Sequence, residues 1–163
     1  MLFRSSNRLE GVAYGNGLFV AVGDGGTILT SLNGVTWTAR ASATGDWLSG
    51  VTYGNGTFVA VGHGGTILTS SYGVSWTPRT SGMGDWLYGV TYGNGLFVAV
   101  GGYYSGTILT SSDGVSWTAR ASGTGNRLWG VAYGNGTFVA VGDRGTILTS
   151  PDGVTWKIGR AHV

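Results

Sequence analysis

The sequence has no cysteine and only two prolines, and charged residues make up only 10% of its 163 residues. The lack of cysteine excludes disulfides and thiolate metal sites and leaves the redox compartment open. The chain also lacks an apolar stretch long enough for a signal peptide or for a membrane-spanning helix. We therefore expect a soluble protein with no membrane attachment, in a compartment that the sequence leaves open.

Glycine is the residue in excess, at 33 positions, and hydrophobic residues make up 42% of the chain. This hydrophobic content excludes a disordered chain, and glycine without a triplet period indicates many tight turns. The net charge is +2, and the charges are scattered singly. Because no basic run could grip a phosphate backbone, the sequence argues against a nucleic-acid ligand.

One unit is repeated four times along the chain. "YGNGLFVAVG" occurs at residues 14–23 and 92–101, and "YGNGTFVAVG" occurs at 53–62 and 133–142. A marker glycine precedes each copy (Gly11, Gly50, Gly89 and Gly130), with spacings of 39, 39 and 41 residues. A fixed period of this length is typical of propellers and solenoids. We place the four units at about residues 7–45, 46–84, 85–125 and 126–160 of a single repeat domain.

Each copy contains four short strand segments separated by three tight turns. The first turn is an Asn-Gly pair, the second is rich in glycine, and the third precedes a tryptophan. Asn-Gly pairs accommodate the positive φ angles of tight hairpins, so they mark antiparallel reversals. A solenoid has parallel coils and does not need three hairpins per repeat. The sequence therefore predicts an all-β propeller with four near-identical, four-stranded antiparallel blades of about 40 residues.

The third turn has a motif of its own: "SLNGVTW" at 31–37, "SSYGVSW" at 70–76, "SSDGVSW" at 111–117 and "SPDGVTW" at 150–156. It resembles the Asp-box (BNR) repeat of sialidase-like propellers. With the preceding "GDGGTILTS" it is closest in pattern to the repeats of photosystem II stability and assembly factors. The turn is one residue shorter than the usual box, and Asn33 and Tyr72 replace the aspartate in two copies. The resemblance implies a propeller fold and a folding role for this turn, remote from any active site.

The copies differ mainly at one end of the predicted blades. Alternate turns of an antiparallel blade lie at opposite ends, so the second turn shares an end with the link to the next blade. These two segments vary between copies, whereas the other end is nearly constant. Loops on a rigid scaffold are a usual location of function. The candidate ligand-binding residues are Arg8, Glu10, Asp24, Trp47, Ser49, His63, Trp86, Tyr88, Tyr103, Tyr104, Arg127, Trp129 and Arg144.

Aromatic rings and arginines at this end suit a non-enzymatic binding or scaffold module whose ligand is a carbohydrate or a protein. One alternative is a sialidase-like glycoside hydrolase, although Glu10 is the only glutamate and no segment matches that family's catalytic motifs. Another is an assembly scaffold, as the photosystem-factor resemblance implies. His63 and His162, the only histidines, lack metal-ligand spacing, and no helix follows the glycine-rich turns. We expect no metal and no cofactor.

The predicted strands are rich in small and aliphatic residues, which favour flat packing between blades and hence more than four blades in a ring. An open arc of four blades would leave two apolar faces in water. We expect a homo-oligomer, with a dimer closing an eight-bladed ring as the favoured form.

Overall fold

The computed structural model describes residues 6–159, which form sixteen strands in four antiparallel sheets. Each sheet takes its four strands from one sequence copy, in chain order. The strands of the first two sheets are β1 (Leu9–Gly15), β2 (Leu18–Gly23), β3 (Thr27–Ser31), β4 (Thr38–Arg40), β5 (Leu48–Gly54), β6 (Thr57–Gly62), β7 (Ile67–Ser70) and β8 (Thr77–Arg79). Those of the last two are β9 (Leu87–Gly93), β10 (Leu96–Gly101), β11 (Thr107–Ser111), β12 (Thr118–Arg120), β13 (Leu128–Gly134), β14 (Thr137–Gly142), β15 (Ile147–Ser150) and β16 (Lys157–Ile158).

The Asn-Gly turns join the first and second strands of each sheet. The asparagines have φ angles between 47° and 49°, and the glycines that follow them have φ angles between 72° and 74°. Two consecutive positive φ angles match the twist of a tight antiparallel hairpin, which explains why the pair recurs unchanged. The short apolar run after each turn is the second strand, which is almost wholly buried in the second and third blades.

The second turn is a single 3-10 turn in three copies, at Asp24–Gly26, His63–Gly65 and Asp143–Gly145. In the third copy the two extra residues form a longer loop that carries Tyr103 and Tyr104. Within residues 6–159 no helix is long and apolar enough to cross a membrane.

The sheets pack face to face in chain order, with the first strands β1, β5, β9 and β13 adjacent to one another on the inside. Three apolar clusters fill the three junctions, and each one combines side chains from two successive sheets. The first and fourth sheets do not pack together in the described part of the chain, so the ring is open. The predicted all-β propeller fold with four four-stranded blades is confirmed.

The third turn forms the local hydrogen bonds expected from its sequence. Asp113 Oδ1 accepts bonds from the backbone N–H groups of Val115 at 2.8 Å and Ser116 at 2.9 Å. These bonds lower the pKa of Asp113. Trp117 Nε1 donates to the Gly114 carbonyl oxygen at 2.9 Å. Every one of these contacts lies within the turn itself, so the turn stabilises the blade without any ligand.

Candidate functional site

A cleft of about 430 Å³ lies where the second turns and the links meet the inner strands. All four blades contribute to it, and its walls combine aromatic rings with charges of both signs. The residues that line it are Arg8, Glu10, Asp24, Trp47, Ser49, His63, Trp86, Tyr88, Arg127 and Trp129. Two other depressions, of about 480 and 390 Å³, are each lined by residues of only two neighbouring sequence copies, mainly serine, threonine and glycine.

The loops around the cleft are fixed by a hydrogen bond that recurs in every blade. An Asn or Asp lies two residues before the first strand of each blade, and its side chain bonds to a threonine at the start of the third strand of that blade or immediately before it. The pairs are Asn7–Thr27 (2.8 Å), Asp46–Thr66 (2.7 Å), Asp85–Thr107 (2.6 Å) and Asn126–Thr146 (2.8 Å). The sequence candidates did not include these residues. Their signal was an Asn or Asp in every link, about twenty residues before a constant threonine.

A continuous series of aromatic contacts runs through the second and third blades. The ring centres of Trp47 and His63 are 5.1 Å apart. His63 stacks on Trp86 with 4.1 Å between the ring centres and 8° between the ring planes. Trp86 contacts Tyr103 at 5.0 Å, and Tyr103 contacts Tyr104 at 4.4 Å. The stack of His63 on Trp86 crosses the junction between two blades, so the rings both seal this junction and form the cleft wall.

The fourth blade extends this wall. Tyr88 contacts Trp129 at 4.4 Å, and Trp129 Nε1 donates to Asp143 Oδ1 at 2.5 Å. Burial raises the pKa of Tyr88, so this phenol stays neutral at physiological pH. The guanidinium of Arg127 lies 4.8 Å from the centre of the Tyr103 ring, and Arg127 Nε donates to the Tyr103 carbonyl oxygen at 2.8 Å. These contacts hold Arg127 at the edge of the cleft.

The first blade contributes the two carboxyl groups that line the cleft, those of Glu10 and Asp24. Glu10 forms an ion pair with Arg8, and Asp24 Oδ1 is buried without a hydrogen-bond partner among residues 6–159. Burial lowers the pKa of His63, although the negative charges of Asp24, Asp46 and Glu10 raise it in part. His63 is therefore a neutral ring at pH 7, and Arg8 and Arg127 supply the positive charge of the cleft.

Ten of the thirteen sequence candidates line the cleft. Tyr103 supports it through Trp86 and Arg127, and Tyr104 is 85% exposed beyond Tyr103. Arg144 is exposed, occupies the positive-φ position of its turn and does not line the cleft. Among the described residues no group of three or more His, Cys, Asp or Glu side chains could hold a metal ion. His162 lies outside the described residues.

No protein-family model and no curated protein matches the sequence. Several solved structures share the fold. YCF48 from Cyanidioschyzon merolae is 19% identical with a TM-score of 0.76, over 99% of this chain and 59% of that one. YCF48 bound to D1 peptide is 18% identical with a TM-score of 0.69, over 97% and 54%. The GH74 enzyme of Niastella koreensis is 26% identical with a TM-score of 0.64, over 91% of this chain and 24% of the enzyme.

This chain thus spans a little more than half the length of the YCF48 chains that it matches. YCF48 is a photosystem II assembly factor, so the likeness that the repeat pattern predicted is confirmed at the level of the fold. The chain is a propeller repeat protein whose blades resemble those of YCF48.

Proposed function

We propose that this chain is a non-enzymatic propeller module that binds a segment of another protein in the aromatic cleft. The observation that carries the proposal is the convergence of the residues that differ between copies. The links, the second turns and the starts of the inner strands of four otherwise near-identical blades bring ten such residues to one cleft. Divergent loops held by a rigid scaffold are a usual basis of binding.

The composition of the cleft suits a peptide. Trp47, Trp86 and Trp129 are partly exposed large rings, which dominate the binding energy of many protein interfaces. Arg127 is available for a carboxylate and Asp24 for a cationic or hydrogen-donating group. A peptide can offer apolar side chains and both kinds of charged group together. The structure of YCF48 bound to D1 peptide supports the proposal, since it is a propeller with a peptide ligand.

A carbohydrate is the second candidate, because Trp47 is 48% exposed and Trp129 is 45% exposed. Sugars bind to flat aromatic faces that are free of other rings. His63 and Trp86 cover each other's faces, and Tyr88 contacts Trp129. Fewer aromatic faces are therefore free to stack on a sugar than the number of rings suggests, and this favours a protein ligand over a carbohydrate. An assembly scaffold would use the same cleft for the same kind of contact.

A glycoside hydrolase would need two carboxyl groups on either side of the scissile bond. Glu10 and Asp24 are the carboxyl groups that line the cleft, and Glu10 is engaged by Arg8. The structural likeness to a GH74 enzyme makes this alternative worth testing. Hydrolysis of an aryl glycoside by the purified chain, lost in Glu10→Gln, would overturn the non-enzymatic part of the proposal.

The direct test selects ligands for the purified chain from a displayed random-peptide library and, in parallel, from a glycan array. Trp86→Ala should weaken binding of a selected peptide at least about tenfold, as truncation of a central aromatic anchor does. Tyr72→Ala removes an exposed ring from the opposite end of the second blade and should leave binding unchanged. Failure to select any peptide, or equal binding by wild type and Trp86→Ala, would refute the proposal, and glycan binding alone would establish the second candidate.

A further inference from the structure

The first and fourth blades each expose one half of a junction that the chain forms three times internally. At each internal junction the tyrosine of one blade covers a glycine of the preceding blade, so closely that a Cβ on this glycine would overlap the ring. The pairs are Tyr53 on Gly15, Tyr92 on Gly54 and Tyr133 on Gly93. Tyr14 is 61% exposed, and no described residue lies within 4 Å of a Cβ placed on Gly134. Among the described residues, Tyr14 thus covers no glycine, and no ring covers Gly134.

Valines of the first and fourth blades are also exposed where counterparts in the internal blades are buried. Val12 is 63% exposed, whereas its counterpart Val51 in the second blade is 8% exposed. Val141 is 46% exposed in the fourth blade, whereas its counterparts Val61 and Val100 are fully buried. The two terminal faces are therefore apolar and have the composition of the two sides of an internal junction.

The loops at the two terminal faces carry residues of opposite charge. At the second and third internal junctions the second turn of one blade contacts the link of the next: His63 contacts Trp86, and Tyr103 contacts Arg127. The corresponding residue of the fourth blade is Asp143, and that of the first blade is Arg8. These two groups have opposite charges, so a fourth junction of the same geometry would bring an acid and a base together.

We propose that these faces bind each other between two copies of this chain, with the first blade of each copy on the fourth blade of the other. The two contacts close a two-fold ring of eight blades. Among residues 6–159 of one chain the two faces do not pack together. A second copy uses the existing junction geometry twice, and two-fold closure is the commonest form of oligomer. The inference does not depend on the ligand of the cleft.

Mass measurement in solution tests the proposal, by light scattering after size exclusion and by native mass spectrometry. The wild-type chain should have twice the 16.8 kDa of one chain. Gly134→Leu places a side chain where Tyr14 of the second copy would lie, in a space that no described residue of the single chain occupies. This variant should keep its β circular dichroism and become a monomer, whereas Tyr72→Ala should remain a dimer.

Exchanging the charges of Arg8 and Asp143 tests the proposal even if Gly134→Leu does not fold. Arg8→Asp alone and Asp143→Arg alone should each weaken dimerisation at least about tenfold, since each places like charges at the new junction. The double variant Arg8→Asp/Asp143→Arg should recover most of the dimer. A wild-type monomer, a wild-type assembly larger than a dimer, or a double variant no more dimeric than the single ones would each overturn the proposal.

Discussion

Replacing Leu87 by alanine tests whether the blade junctions supply most of the stability. Leu87 opens the inner strand β9, is 0% exposed, and packs in the cluster that joins the second and third sheets, beside Val59, Ile67 and Phe97. Truncating a buried leucine in a well-packed core costs about 2 to 5 kcal/mol. Since small domains have free energies of unfolding of about 5 to 15 kcal/mol, Leu87→Ala should remove a large fraction of the total.

Urea titration followed by far-ultraviolet circular dichroism and by tryptophan fluorescence measures this change. Leu32→Ala is the matched control, because Leu32 is 81% exposed and its loss should change the free energy by no more than about 0.5 kcal/mol. Repeat proteins can unfold in parts, so the two signals should be compared for coincidence. A cost below about 1 kcal/mol for Leu87→Ala would show that this junction is not a packed core.

Three further outcomes are expected. The lowered pKa values of Asp113 and Asp152 contribute stability that is present above the ordinary carboxyl pKa and is lost as the pH falls through the lowered values. In Asp113→Asn/Asp152→Asn the urea concentration at the unfolding midpoint should therefore decrease less steeply at acid pH than in the wild type. His63 should titrate below its ordinary pKa of 6.5 by NMR, and its contribution to stability should fall as the pH drops through that ordinary value; a normal or raised pKa would contradict its burial. Tyr72→Asp should supply the missing hydrogen-bond acceptor of this turn beside Ser70 and raise the free energy of unfolding by about 0.5 to 1 kcal/mol, seen as a higher urea midpoint. An unchanged midpoint would show that Ser70 alone stabilises the turn.

Much of the blade could be predicted from the sequence because its signals are local. An Asn-Gly pair such as Asn55-Gly56 fixes its own φ angles, and these determine a hairpin wherever the pair occurs. Alternation of turns between two ends then follows from chain geometry. For the same reason ten of the candidate residues could be assigned to one end before their contacts were known.

The contacts between blades could not be predicted in this way. The stack of His63 on Trp86 depends on the spacing and rotation of two sheets, which no local pattern encodes. The bond between Asp46 and Thr66 requires a link and a strand twenty residues apart to meet. Arg144 was a candidate because of its charge, but in its turn it occupies the left-handed position that Gly25 and Gly64 fill in other copies.

The close stacking of the marker glycines has a consequence for how such genes can change length. A Cβ on Gly11 would lie 3.2 Å from the Gly50 Cα, and the same contact recurs from Gly50 to Gly89 at 3.4 Å and from Gly89 to Gly130 at 3.3 Å. The inner strand of every interior blade therefore presents the same glycine contact to the blades on either side. Duplication or deletion of a whole repeat would preserve this glycine contact at every remaining junction, so unequal recombination could lengthen or shorten the arc by one blade without a substitution at these inner-strand positions.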